Sequence, residues 1–577
     1  MRNNYVLGLN FLHSDSSACI FKDGVLIAAT EEERFSRTKH VSLFPSKSIE
    51  FCLAEADIEL SEVNVISINS NPLSSITRKV IYTLKNLKRM KLVFSSLKNI
   101  KKKYSLRDYI SRIDSNKKFN GKIEYIDHHE SHIASSLYFS NFKKSVNLSI
   151  DGFGDFASSA WGIYLDKKNQ IHGRIFFPHS MGIFYQAITQ LIGFKNYGDE
   201  YKVMGLSSYG YPRFEKELSK ILYNTKKGFE LNLDFFIHHN EKIISSNVSG
   251  QIQYKNLYSK KLLELLGPER NINQEISQHH KDLASSAQKV YENTLFNLLN
   301  NLYSKYKIEN LTLSGGCAMN SVANGKILKN TPFKNIYISP NPGDAGGSIG
   351  SAATFLINSN LNISPVSQYA YLGMNYSNKE IENTIHKNDI YKKFKVKKLS
   401  SDEIIEITTS LLIDSKIVGW FQGRSEWGPR ALGNRSILAD ARNPNIKKII
   451  NSKIKRRESF RPFAPSILFE YTKEWFDIEK EVPYMSEVYS ILKDKRELLP
   501  GITHIDGTGR LQTVSIHQNK KYFLLIKRFF EKTGIPIILN TSFNENEPIV
   551  NSPIEAINCF ERTNMDALVL ENWIILR

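Results

Sequence analysis

Apolar and polar positions alternate in short blocks from the start of the chain, and the period breaks only where turn-forming residues intervene. Residues 5–9 predict a strand, His13-Ser14-Asp15-Ser16 a polar turn, and residues 17–21 and 25–30 two further strands joined by an Asp23-Gly24 hairpin. The arrangement returns at residue 146, with strands over 146–150, 158–165 and 171–177 and a glycine-flanked polar turn over 151–155. A three-strand meander is therefore predicted twice. Asp127-His128-His129-Glu130-Ser131-His132 precedes a run of small and apolar residues and predicts the opening of a helix. Past the glycine-rich stretch 343–350 and a helix through Phe355, residues 357–365 are rich in Asn, Ser and Pro, which places a domain boundary there and divides the chain into 1–360 and 361–577. Beyond it, strand-like 416–421 and 536–539 alternate with helix-like 445–454 and 522–533, the signature of an α/β domain.

Two meanders, each with a polar turn after its first strand, resemble the duplicated ribonuclease-H-like core of the actin, sugar-kinase and Hsp70 superfamily, in which such turns face a nucleotide. A chain of 577 residues is long enough for more than one core. Cys19, Cys52, Cys317 and Cys559 form no CxxC pair, so neither a disulfide framework nor a zinc ribbon is expected, and a reducing cytoplasm is the natural home. No apolar run approaches the roughly 20 residues needed to span a bilayer. The formal charge of +19 attracts anions, from nucleotides and phosphorylated substrates to nucleic acid and lipid head groups, without choosing among them.

Particular residues narrow the chemistry. His128 and His132 stand four apart on one helix face, and Asp151 and Asp344 lie in glycine-flanked turns where a carboxylate can face a cleft. Two imidazoles and two carboxylates suit a divalent ion, Fe²⁺ or Mn²⁺ as well as Zn²⁺ or Mg²⁺; ligand type alone does not pick one, although imidazole disfavours Mg²⁺. The turns Ser314-Gly315-Gly316-Cys317-Ala318-Met319-Asn320 and Gly343-Asp344-Ala345-Gly346-Gly347-Ser348 offer backbone N–H groups to phosphates, although no Walker P-loop occurs. In the second domain Arg430 and Arg435, then Lys453, Lys455, Arg456, Arg457 and Arg461, are interleaved with Trp427, Pro429, Phe460, Pro462 and Phe463. Cations held beside rigid residues are suited to bidentate contact with a phosphate, the competing arrangement being pairing with Glu426, Asp440 and Glu458.

Taken in order, these elements resemble the carbamoyltransferases of antibiotic biosynthesis and nodulation-factor decoration. The matching motifs are His13-x-Asp15-Ser16-Ser17, Glu32-Glu33-Arg34-Phe35-Ser36-Arg37, the His128/His132 pair, Asp151-Gly152-Phe153-Gly154-Asp155, Lys202-Val203-Met204-Gly205-Leu206, both glycine turns, the run from Trp427 to Arg435, Phe460-Arg461-Pro462-Phe463, and Asn540-Thr541-Ser542-Phe543-Asn544 with Glu547-Pro548-Ile549-Val550. The departures are Ser208, where the lysine motif usually continues to proline, and Asn546, where glycine is common. The resemblance implies a threonylcarbamoyl-transferase-like first domain and a YrdC-like α/β second domain. It further implies ATP-dependent O-carbamoyl transfer: carbamoyl phosphate and ATP give carbamoyl-AMP, from which an alcohol of a small molecule or glycan takes the carbamoyl group. By motif, Arg430, Lys455, Arg461 and Arg510 are expected to hold carbamoyl phosphate, Lys202, Gly315, Gly316, Asn320 and Asn540 to contact ATP, and His128, His132, Asp151 and Asp344 to hold the metal. His13, with Asp15, is the candidate base for the acceptor hydroxyl, a nucleotide-phosphate contact being the alternative for His13.

A tRNA- or amine-directed transferase would share this chemistry, but no RRM, KH or zinc-knuckle pattern accompanies it, which argues against a nucleic-acid partner. A non-catalytic ATP-binding scaffold would not need intact motifs in both domains. Residues 78–104 hold ten Lys or Arg and no acid, with apolar residues at helical spacing. Such a stretch either packs on the core with its charges solvated or meets an anionic acceptor or membrane.

Overall fold

A computed structural model of the chain describes residues 4–11, 13–85, 106–113, 119–361, 363–364 and 370–577. They form two compact α/β units, residues 1–367 and 368–577. The basic stretch enters this description only through the helix Ile76–Lys85, and residues 86–104 lie outside it. No helix among the described residues is long and apolar enough to cross a membrane.

In the first unit, β1 (Tyr5–Asn10), β2 (Ser17–Lys22) and β3 (Val25–Glu31) form an antiparallel meander, which β4 (Val65–Asn69) and β5 (Lys122–Ile126) extend in parallel on the other side of β1. The second sheet begins with β6 (Ser145–Gly154), β7 (Ala157–Leu165) and β8 (Lys168–Phe176). The chain then forms two small hairpins, β9 (Leu222–Thr225) with β10 (Gly228–Leu231) and β11 (Ile244–Ser246) with β12 (Ile252–Tyr254). After the helix Gln278–Tyr306 it returns to the sheet as β13 (Asn310–Ser314) and β14 (Asn335–Ile338). The two sheets run β3-β2-β1-β4-β5 and β8-β7-β6-β13-β14, with the same strand directions at each position. The meander anticipated twice thus supplies three of the five strands in each of two equivalent sheets. Both second turns put two successive residues at positive φ, Asp23 and Gly24 at 49° and 78°, Asp166 and Lys167 at 52° and 61°, the geometry that matches the twist of the flanking strands.

One expectation is corrected. Residues 151–153 are not a turn but the end of β6, where the register against β7 slips between Ile150 and Gly154. The reversal comes afterwards, at Asp155 and Phe156, with φ of 47° and 72°. A bulge of this kind re-aims side chains near a sheet end, and Asp151 is the side chain re-aimed.

The second unit is one mixed nine-stranded sheet. Its strands are β15 (Lys395–Lys398), β16 (Val418–Phe421), β17 (Arg435–Ala439), β18 (Ala464–Leu468), β19 (Glu487–Ser490), β20 (Thr508–Val514), β21 (Ile537–Ser542), β22 (Ala567–Leu570) and β23 (Trp573–Leu576). They are ordered β15-β23-β22-β16-β17-β21-β18-β20-β19. Trp420, Ile437, Ile467, Leu539 and Val569 are fully buried, so the central strands are covered on both faces, and the helices Ser401–Ile413 and Lys520–Thr533 supply part of that cover. Capping boxes at Ser377/Glu380 and Ser400/Glu403 fix where two of the helices begin.

Candidate active site

The first polar centre starts from a helix cap. The Asp127 side chain accepts hydrogen bonds from the backbone N–H groups of His129 and Glu130 at 3.0 and 3.1 Å, so the helix His128–Ser140 opens directly at His128. Burial pulls the Asp127 carboxyl upward, but Arg174, whose Nη1 lies 2.9 and 3.0 Å from its two oxygens, helps hold it down at about 2. The cap therefore stays ionised. One turn on, His132 comes under His128, and their Nε2 atoms are 3.0 Å apart.

Both carboxylates meet these nitrogens. Asp151 Oδ2 lies 3.1 Å from His128 Nε2 and 3.7 Å from His132 Nε2, and Asp344 Oδ1 lies 3.5 and 3.4 Å from the same atoms. One donor atom from each of the four residues fits within 4.8 Å, and both imidazoles are fully buried. Ligand atoms at about 2.0–2.2 Å from a tetrahedral ion stand about 3.4 Å apart, so the four donors already have a metal's spacing. Each carboxylate spends its other oxygen on the protein: Asp151 Oδ1 accepts from the Gly316 N–H at 2.8 Å, and Asp344 Oδ2 accepts from the Ser14 hydroxyl. Asp344 Oδ1, buried, has no hydrogen-bond donor of its own, as expected of an atom kept for a cation. Burial lowers the basicity of His132, yet the two carboxylates raise its pKa to about 9, and burial likewise pulls Asp151 upward while the histidines hold it well below the carboxylate range. The pocket thus favours a positive charge at its centre. A buried His/Asp group here could hold a metal ion.

The same unit holds the other residues expected there. His13 stacks obliquely on His128, ring centroids 4.8 Å apart. Asp15 pairs with His40, a residue sequence reasoning passed over, at 2.7 Å. Gly154 is required by His128: a Cβ there would stand 1.9 Å from the His128 ring. Gly315 and Gly316 form the turn after β13, and the Gly316 N–H goes to Asp151 rather than being held open for a phosphate. Asn320 exchanges hydrogen bonds with the Gln288 amide and caps a short helix by accepting from the Ala323 N–H. Lys202 pairs with Asp199 at 2.8 Å.

The second unit carries the other centre. Arg430, Arg457 and Arg461 lie close enough to Arg510 that, after burial, their charges are what pushes its guanidinium well below its usual pKa. Four guanidiniums in one neighbourhood repel one another, and an anion with several oxygens is what such a group accommodates. Arg457 belongs to this group although motif comparison had not assigned it a ligand role. Of the three acids that might have neutralised the cations, Glu458 stands 3.4 Å from Arg461. Glu426 accepts the backbone N–H groups of Leu432, Asn434 and Arg435, which shapes the loop bearing Arg430, and Asp440 pairs with Arg442.

Three residues of this region do other work. Lys455 is buried, and its ammonium donates to the Ser542 carbonyl at 2.6 Å and to the carbonyl and side-chain oxygen of Asn544, each at 2.7 Å. With three protons so engaged it orders the 542–544 loop instead of presenting charge to a ligand. Arg435, fully buried over the Phe421 ring at 3.6 Å, donates to the carbonyls of Gln422, Asn434 and Met374. Asn540, expected at a nucleotide, is fully buried in the sheet and donates to Ala431, Ser466 and Gln512.

Residues 5–353 match the family model described as "Carbamoyltransferase N-terminus" and residues 409–577 the one described as "Carbamoyltransferase C-terminus". The chain is 36% identical over 613 residues to the uncharacterized protein sll1178 of Synechocystis sp., covering 99% of this chain and 97% of that one. It is 34% identical over 585 residues to the nodulation protein NolNO of Sinorhizobium fredii, covering 99% of this chain and 80% of that one. Among solved structures, component A of the (R)-2-hydroxyglutaryl-CoA dehydratase of Acidaminococcus fermentans aligns over 61% of this chain and 97% of its own, at 12% identity and a TM-score of 0.33.

Proposed function

The chain belongs to the carbamoyltransferase family and is a carbamoyltransferase, and on that premise we propose an ATP-dependent O-carbamoyltransferase that works in two half-reactions on two units. The second unit, read as YrdC-like, takes carbamoyl phosphate and ATP to carbamoyl-AMP. The first unit, read as a duplicated actin- and sugar-kinase-like domain, transfers the carbamoyl group to the hydroxyl of a small molecule or glycan.

The observation that carries this reading is that the charges of Arg430, Arg457 and Arg461 all reach the buried Arg510. Carbamoyl phosphate is a small dianion, and several cations fixed in advance bind it without the reorganisation that flexible lysines would require. Lys455 sits behind this group as a positioning residue for the 542–544 loop. In the first unit His128, His132, Asp151 and Asp344 would hold a divalent ion, which when bound supplies Lewis-acid polarisation of a carbonyl or phosphoryl oxygen. Gly316 and Ser14 orient the two carboxylates, and Asp127 fixes the helix end that aims both imidazoles. Of the nucleotide contacts expected from sequence, this reading keeps Lys202 and Gly315; the Gly316 N–H is taken by Asp151, and the amides of Asn320 and Asn540 are engaged within the protein. His13, packed on His128, takes the phosphate-contact role that was its alternative.

The test is ATP/pyrophosphate exchange. Exchange that requires carbamoyl phosphate supports the reading. A protein that binds ATP without such exchange would be a scaffold, and steeply salt-dependent tRNA binding would favour the tRNA-directed alternative.

A further inference from the structure

The Asp15–His40 pair has a geometry that the expected roles of the motifs leave unused. Asp15 stands in the β1–β2 turn at a φ of 55°, and its backbone is locked there: Asn10 Nδ2 donates to the carbonyls of Ser14 and Asp15 at 2.7 and 2.9 Å. The next residue, Ser16, donates its N–H to the Val41 carbonyl at 2.9 Å, which ties the turn to the segment bearing His40. The Asp15 carboxylate meets His40 at Nδ1, so the tautomer is set and Nε2 is the nitrogen left for chemistry. The imidazole keeps 31% of its side-chain surface, and Gly198, at a φ of +84°, faces Nε2 so closely that a Cβ there would come within 2.5 Å of it. A side chain at 198 would collide with that nitrogen.

The pair is also connected to the buried His/Asp group. The His40 ring meets Tyr197 edge-on at 5.1 Å, the Tyr197 hydroxyl donates to Ser14 Oγ at 2.6 Å, and Ser14 in turn donates to Asp344. Tyr197 stacks on Tyr254, a residue of β12. β12 belongs to the segment between β8 and β13, absent from the equivalent place between β3 and β4, where only short helices occur. An aromatic wall beside an oriented imidazole and carboxylates is the chemistry that receives a hydroxylated ring.

We propose that His40, oriented by Asp15, is the base that takes the proton of the acceptor hydroxyl in the transfer half-reaction; this rests on the two-step reading above. The acceptor O–H bond breaks with its proton passing to His40 Nε2, and the oxygen forms a bond to the carbamoyl carbon. The bond from that carbon to the adenylate phosphate oxygen breaks with its electron pair, releasing AMP, and the proton then leaves His40 for solvent. The groups facing His40 are Asp15 from the β1–β2 turn, Glu33 from the following short helix, the adjacent Lys39, Tyr197, and Glu200 from the helix Glu200–Leu206. Burial draws the imidazole pKa down, but Asp15 and Glu33 raise it to about 9. The free base therefore accumulates as pH rises toward that value, and the transfer rate climbs with it.

The experiment measures AMP release from ATP and carbamoyl phosphate with glycerol at molar concentration as the probe alcohol, across pH. His40→Ala is expected to lose about 100-fold or more, the range for a positioned base, and added imidazole to restore part of the rate. Asp15→Asn is expected to lower the rate and shift the inflection to lower pH, because the chief upward influence on His40 is removed. A His40→Ala rate within a few-fold of the parent, or an Asp15→Asn profile that coincides with the parent's, overturns the proposal. A parent protein that releases no AMP at all overturns the two-step reading itself, a result distinguishable from the first.

Discussion

The group formed by His128, His132, Asp151 and Asp344 contains its own countercharges, two imidazoles against two carboxylates, whereas Arg430, Arg457 and Arg461 act on the buried Arg510 with its own sign of charge. The two differ in energetic cost. In the first, imidazole nitrogens and carboxylate oxygens of opposite sign stand 3.1–3.7 Å apart and offset one another. In the second, the charges of Arg430, Arg457 and Arg461 raise the cost of keeping Arg510 charged, and a bound anion offsets that cost. A site that stores repulsion in this way stabilises its ligand at the expense of the resting protein, a trade commonly found at functional sites.

The largest expected effect breaks the first centre alone. His132→Ala removes one of four donors, so transfer should fall by more than about 100-fold while pyrophosphate exchange driven by carbamoyl phosphate continues as uncoupled turnover. Equal loss of both half-reactions in a folded variant would mean that the two centres are not separate. Arg510→Ala breaks the second: forfeiting a charge-assisted bond of about 1.5–3 kcal/mol should slow exchange by about 10- to 150-fold. Unchanged exchange would remove the arginine group from the reaction.

A finer test lies in Gly154→Ala. Its Cβ would strike the His128 ring, so metal affinity measured by calorimetry should drop by about 10-fold or more with the arginine centre unaffected. The smallest effect sharpens the contrast most. Because Arg510 is repelled by three neighbours, Arg510→Ala should leave the ligand-free protein as stable as the parent or more so, by up to about 1 kcal/mol in thermal unfolding, and should abolish stabilisation by added inorganic phosphate. Marked destabilisation would show that the guanidinium is a structural group, as Arg435 is.

Much of this was legible locally. The doubled meander, the Asp23-Gly24 turn and the cap at Asp127 depend on residues a few positions apart, and so does the alignment of His128 over His132, since four residues make about one helical turn. What could not be read is which partner each polar group finds. Asp151 is oriented by an N–H 165 positions away and Asp344 by a hydroxyl 330 positions away. Lys455 and Arg461 sit in one basic run, yet the first is spent on Ser542 and Asn544 while the second stays with the arginine group. His40 gained its meaning only when Asp15, 25 residues earlier, was folded against it. Periodicity and capping are decided by neighbours along the chain and are therefore written in the sequence. The use of a charge is decided by what the closed chain brings within about 3 Å of it, and only the tertiary structure chooses that.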